Sequence, residues 1–171
     1  MIIALIAALT SRTKARTACD MIAEKFFTEA LSAMKDIKHT ITTRVRYCET
    51  DKMGVAYHGR YLDWFEMGRT DYCRQSGKTY LEWEAEGVML PVVEAHCRYK
   101  SSLAYDDEII IETTITKLSR VSVEFSCKIF HKDTGRIAAE GYTKHAFVSP
   151  DGKLLKSGCA LYEQLASMLG D

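Results

Sequence analysis

Arg46-Tyr47-Cys48-Glu49-Thr50-Asp51-Lys52-Met53-Gly54-Val55-Ala56-Tyr57-His58-Gly59-Arg60-Tyr61 is the stretch on which the fold turns. Leading into it, residues 39–49 alternate and place Ile41, Val45 and Tyr47 on one side, the period of a half-buried strand. Asp51 to Gly54 reads as a turn. Beyond the turn, Tyr57, Tyr61, Trp64, Phe65, Gly68 and Tyr72 recur at helical spacing, while Arg60, Asp63, Arg69, Asp71 and Arg74 fall mostly elsewhere around the axis. The predicted helix has one wide aromatic face, and Gly68 would let its backbone approach a neighbouring layer closely.

Working outward, Gly77 is a natural helix stop, and Thr79-Tyr80-Leu81-Glu82 fits a capping box that opens a short second helix closing before Gly87. Residues 88–100, 107–118, 121–132 and 136–149 read as four further strands. Alternation is clearest where Val121, Val123, Phe125, Cys127 and Ile129 interleave with Ser122, Glu124, Ser126 and Lys128. Lys132-Asp133-Thr134-Gly135 is a hairpin turn between the last two. One strand, one long helix and four consecutive strands with short connections exclude a βαβ array. They predict an α+β domain in which an antiparallel sheet packs on a helix.

The chain of 171 residues suits one domain with a real core. Its 23 basic and 23 acidic residues cancel, so charge does not point to nucleic acid or an anionic membrane surface as partner. Six cysteines, Cys19, Cys48, Cys73, Cys97, Cys127 and Cys159, show neither C-x-x-C spacing nor a histidine at ligand distance. Neither a metal site nor a disulfide framework is expected, and reduced thiols fit a cytoplasmic protein. Cys97 and Cys127 read as small hydrophobes on the buried face of their strands.

Residues 1–33 read as an extension to a domain spanning 34–171. The apolar run Met1–Leu9 is nine residues long, short of the roughly 20 that cross a bilayer. Its basic residues follow the run, unlike those of a secretory signal. Three readings remain: translation starting at Met34, a targeting segment, or an added helix over 20–34 with Asp20 as N-cap and Ile22, Phe26, Phe27, Ala30 and Met34 on one side.

The chemistry centres on Asp51. A helix start leaves its first N–H groups without intrahelical acceptors, so a carboxylate just ahead of one stands beside amides suited to a developing oxyanion. That combination points to metal-free acyl transfer, with Asp51 as the reacting group and the amides near His58 as the oxyanion site. No phosphate-binding glycine loop and no G-x-S-x-G elbow competes with it.

Glu49-Thr50-Asp51-Lys52-Met53-Gly54-Val55-Ala56-Tyr57-His58, followed by Tyr61, resembles the signature of hot-dog-fold acyl-CoA thioesterases of the 4-hydroxybenzoyl-CoA thioesterase-like group. Ala104-Tyr105-Asp106-Asp107-Glu108-Ile109, running into Ile110-Ile111-Glu112-Thr113, resembles the same family in register. The resemblance covers roughly residues 38 to 150. It implies a five-stranded antiparallel sheet wrapped around a long central helix, and hydrolysis of an acyl-CoA or acyl carrier protein thioester.

By the same resemblance, Asp51 acts as nucleophile or general base, and the backbone N–H at His58 polarises the thioester oxygen, leaving the imidazole a secondary role. Gly54, Tyr57 and Tyr61 would shape the substrate pocket. The family's basic cluster for coenzyme A falls on Ser119-Arg120-Val121-Ser122, where only Arg120 keeps its charge, with Lys117, Lys100 or Lys128 as substitutes. No resident cofactor is implied, because coenzyme A arrives with the substrate. The family forms homodimers or homotetramers with sites at subunit interfaces. Glu66 is a fallback carboxylate, otherwise a structural acid paired with Arg69 or Arg98, while Asp106 and Asp107 read as turn formers. Two alternatives stay open: a hot-dog dehydratase or hydratase, and a non-catalytic acyl-thioester binding module. Tyr57, Tyr61, Trp64 and Phe65 fit an aromatic acyl group or plain core, so short to medium aliphatic chains are equally compatible.

Overall fold

Strands β1 (His39–Arg44), β2 (Val92–Tyr99), β3 (Glu108–Ser119), β4 (Ser122–His131) and β5 (Ile137–Ala146) form one antiparallel sheet in the order β1-β3-β4-β5-β2. The α-helices among the described residues are α1 (Arg60–Gln75), α2 (Tyr80–Ala85) and α3 (Ala160–Met168). The computed structural model describes residues 38–75, 77–155 and 160–169. The extension 1–33, the helix expected over 20–34, Cys19 and Cys159 lie outside the described residues.

The long helix sits where the sheet is thinnest. Register places Thr113, Cys127 and Gly141 in one row across β3, β4 and β5, and the helix meets the sheet over that row. A Cβ on Gly68 would collide with the Thr113 hydroxyl and stand 2.9 Å from the Ile111 Cγ2. One on Gly141 would strike the His96 carbonyl and come within 2.9 Å of the Phe65 ring. The close approach expected at Gly68 is therefore present, and Gly141 answers it from the sheet. Around this row Trp64, Phe65, Ile109, Ile111, Ile129 and Leu103 are fully buried, each such side chain contributing about 1.5–3 kcal/mol.

Most local expectations hold. Thr79 and Glu82 exchange both capping-box hydrogen bonds at the start of α2, and Gly77, Gly87 and Gly135 take positive φ at the predicted stops and hairpin. Asp106 also takes positive φ, at 71°, and the Asp107 carboxylate accepts the Ala104 N–H at 2.7 Å, so both are turn formers.

Two expectations need correction, and one element is new. The first strand ends at Arg44 rather than running to residue 49, because Tyr47–Glu49 coil into a 3-10 turn that brings Glu49 inside and leaves Tyr47 exposed. The long helix begins at Arg60, so Tyr57 precedes it and is exposed instead of extending its aromatic face. Helix α3 was not anticipated: Leu161, Leu165 and Ala166 are buried on it, and with Leu169 it covers the cluster of Tyr72, Trp83, Ile115 and Phe147.

Candidate active site

Glu49 builds the site from below. It is 2% exposed, and its carboxylate accepts the Arg46 N–H at 2.7 Å, the Arg46 guanidinium at 2.9 Å and the Trp64 indole N–H at 3.2 Å. Burial pushes the Glu49 carboxyl up, but the hydrogen bonds from Arg46 and Trp64 outweigh it and hold the group below its ordinary range. The segment entering the turn is thereby tied to α1. The Tyr57 N–H returns to the Glu49 carbonyl at 2.8 Å and closes the loop between them.

Inside that loop the Asp51 N–H bonds the Val55 carbonyl and the Gly54 N–H bonds the Asp51 carbonyl, both at 2.9 Å. Gly54 supplies the left-handed φ of 77° that this turn needs. One Asp51 carboxylate oxygen accepts the Met53 N–H at 2.8 Å, and the other takes no donor among the described residues. The carboxylate is thus held by one oxygen and open at the other.

A second segment forms the opposite wall. The Ala56 N–H donates to the Leu103 carbonyl at 2.8 Å and Val55 bridges Ala104, which draws residues 99–104 alongside the loop. Between them lies a cavity of about 410 Å³ lined by Asp51, Met53, His58, Tyr61, Tyr99 and Lys100, with Val55, Ala56, Ser101 and Ser102. Asp51 and His58 therefore share one space, just ahead of α1. Neither the His58 nor the Gly59 N–H has an acceptor among the described residues. Free donors beside a carboxylate can stabilise a tetrahedral oxyanion while the carboxylate activates water or attacks.

The remaining candidates are distributed as follows. Tyr61 is almost buried but lines the cavity, and burial, then Cys97 and Tyr99, push its phenol up to about 12, so it stays a neutral donor. Tyr57 stands outside the lining and packs on the His58 ring, with centroids 4.2 Å apart. Gly54 shapes the turn without lining the cavity. Arg120 is exposed in the β3–β4 turn, away from the lining. Glu66 pairs with Arg69 at 3.3 Å and faces a separate cavity of about 230 Å³ that includes Cys73, Leu90 and Phe125. Sequence reasoning missed Tyr99, Ser101 and Ser102, which approach the site only through the pairing of Val55 and Ala56 with residues 103–104. Among the described residues, no group of histidine, cysteine and carboxylate side chains is arranged to hold a metal ion.

The profile of the thioesterase-like superfamily matches residues 45–165, and the chain belongs to that superfamily. YneP of Bacillus subtilis, provisionally named an acyl-CoA thioesterase, is 33% identical over 107 residues, spanning 63% of this chain and 77% of that protein. The acyl-CoA thioesterase YbgC of Haemophilus influenzae is 31% identical over 97 residues, 56% of this chain and 71% of that one. Among solved structures, the DHNA-CoA thioesterase of Staphylococcus aureus matches with a TM-score of 0.67 and 34% identity, covering 70% of this chain and 80% of its own. The sheet and central helix are those of the hot-dog fold, and a thioester hydrolase is the class these findings support.

Proposed function

We propose that the protein hydrolyses an acyl-CoA to the free acid and coenzyme A, with Asp51 as the reacting carboxylate and the backbone N–H groups at the start of α1 as the oxyanion site. The observation that carries this reading is the shared cavity: Asp51, anchored through one oxygen, opens into the same space as His58, whose N–H lacks an acceptor among the described residues.

In the general-base route, the free Asp51 oxygen takes a proton from water as the water oxygen attacks the thioester carbon. The carbonyl electrons move onto oxygen, where the His58 N–H meets them. Collapse of the intermediate breaks the C–S bond, and the leaving thiolate takes up a proton. In the nucleophilic route, Asp51 itself attacks, expels the thiolate and forms an anhydride that water cleaves. Both routes use the same atoms and need no resident cofactor, since coenzyme A enters with the substrate.

The finer expectations are part of this proposal. The acyl group comes from coenzyme A or from an acyl carrier protein, and Arg120 meets the nucleotide phosphates. The chain works as a homodimer or homotetramer, consistent with β2, which among the described residues is an edge strand paired with β5 and leaves Val92 and Val93 exposed. No helix among the described residues is long and apolar enough to cross a membrane. A cytoplasmic location is supported by the free thiols Cys48, Cys97 and Cys127.

Thiol release from acetyl- through palmitoyl-CoA, with benzoyl- and phenylacetyl-CoA, tests the reading. Release of stoichiometric acid and thiol from at least one member is expected, and its chain-length profile identifies the acyl class. No release from any member would overturn the proposal.

A further inference from the structure

The His58 backbone is held at both of its neighbouring peptides. Upstream, the Tyr57 carbonyl accepts the Arg60 N–H at 2.9 Å. Downstream, the His58 carbonyl accepts a hydrogen bond from the Tyr99 hydroxyl at 3.0 Å, across 41 residues of chain. Peptide groups are planar, so fixing the carbonyls on either side of a residue leaves its φ and ψ little freedom. The Arg60 bond fixes the peptide that carries the His58 N–H, and the hydroxyl at the end of β2 fixes the next peptide, which carries the Gly59 N–H.

Tyr99 is built to give that bond. Its ring packs edge-on against Tyr61, with centroids 5.0 Å apart and planes at 81°, and Tyr61 is itself 3% exposed on α1. Tyr99 also lines the Asp51 cavity, whereas its hydroxyl is spent on the backbone instead of pointing freely at substrate. Burial, then Cys97, push the phenol up, so it remains a donor at neutral pH.

Resting on the thioesterase reading above, we infer that Tyr99 is a positioning residue that fixes the His58–Gly59 peptide and so steadies the pair of open N–H groups, His58 and Gly59, that receive the thioester oxyanion just ahead of α1. It touches neither the carbonyl carbon nor the attacking water. Its contribution falls on the transition state, because the amide it orients gains most when negative charge develops on oxygen.

Tyr99→Phe keeps the ring against Tyr61 and removes only the hydroxyl. We expect kcat to fall about five- to tenfold, the size of one hydrogen bond, with KM within about twofold and the thermal unfolding midpoint unchanged. A ketone analogue of the substrate, with CH2 in place of the thioester sulfur and ¹³C at the carbonyl, gives a spectroscopic readout. Its C=O stretch should be lowered in the wild-type complex and should move back toward its solution frequency in Tyr99→Phe. An unmoved stretch with unchanged kcat overturns this inference alone, provided wild type hydrolyses acyl-CoA and Asp51→Asn does not. A fall in kcat matched by lost thermal stability, with the stretch unmoved, also overturns it by assigning Tyr99 to folding. A wild type inactive on every acyl-CoA removes the thioesterase reading and this inference with it.

Discussion

Replacing Glu49 by Gln tests how the site is anchored, because it preserves shape and removes the charge that ties the Asp51 loop to α1. One Glu49 oxygen accepts the Arg46 N–H at 2.7 Å, and the other accepts the Arg46 guanidinium at 2.9 Å and the Trp64 indole at 3.2 Å. A glutamine with its carbonyl on the second set turns its NH2 against the Arg46 N–H. The flipped amide keeps that bond and loses the other two. Either orientation gives up at least one hydrogen bond to a charged acceptor, about 1.5–3 kcal/mol, so the variant should be about 2 kcal/mol less stable at neutral pH.

The sign of the pH dependence follows from the carboxyl's position below its ordinary 4.5. A carboxyl lowered by folding contributes fully above its unfolded value and loses that contribution as pH falls through the folded one. The gap between wild type and Glu49→Gln should therefore be full at neutral pH and shrink below about pH 4.5. Urea unfolding followed by tryptophan fluorescence at neutral pH and near pH 4 measures both. A gap under about 0.5 kcal/mol at neutral pH, or one that does not shrink in acid, would refute the reasoning.

Two further outcomes are expected. Gly68→Ala gains about 1 kcal/mol of helix propensity, but its Cβ meets the Thr113 hydroxyl and Ile111, where overpacking costs about 1–3 kcal/mol. Both neighbours are branched and held in a central strand, so strain wins, and the melting temperature should drop by about 3–6 °C in a calorimetric scan. A variant as stable as wild type would show that the helix can lift from the sheet freely. Arg120→Ala should raise KM for acyl-CoA about three- to fivefold, the worth of an exposed ion pair, while leaving KM for the matching acyl-pantetheine unchanged. Equal effects on the two substrates in initial-rate assays would remove Arg120 from phosphate binding.

The fold was readable in the sequence because its strands keep period two and its helix keeps an aromatic stripe, and both patterns reflect burial on one face. Ile109, Ile111 and Ile115 show this on β3, as Trp64 and Phe65 do on α1. The 3-10 turn at Tyr47–Glu49 escaped because local alternation continues through it, and only the tertiary bond from Trp64 makes Glu49 an inward residue. Leu161 and Leu165 of α3, with Leu169 just beyond it, keep a plain i, i+4 pattern, but at nine residues the helix carries little periodic signal.

The candidate site divides the same way. Asp51, Gly54 and His58 lie within one turn and its exit, so turn chemistry makes them visible together. Tyr99, Ser101 and Ser102 reach that turn through backbone pairing between Ala56 and Leu103, a contact that no residue type announces. Gly141 belongs to this second group, since its lack of a side chain matters only once the His96 carbonyl and the Phe65 ring close on it.

The most direct measurement is the turnover of Asp51→Asn beside wild type on the best acyl-CoA substrate. Asparagine can still accept the Met53 N–H that Asp51 holds at 2.8 Å, so the turn survives while the base or nucleophile is lost. The account predicts a fall in kcat of at least about 100-fold, with unfolding midpoint and binding of the coenzyme A product unchanged. Turnover within about threefold of wild type would contradict it and move the reacting carboxylate away from Asp51.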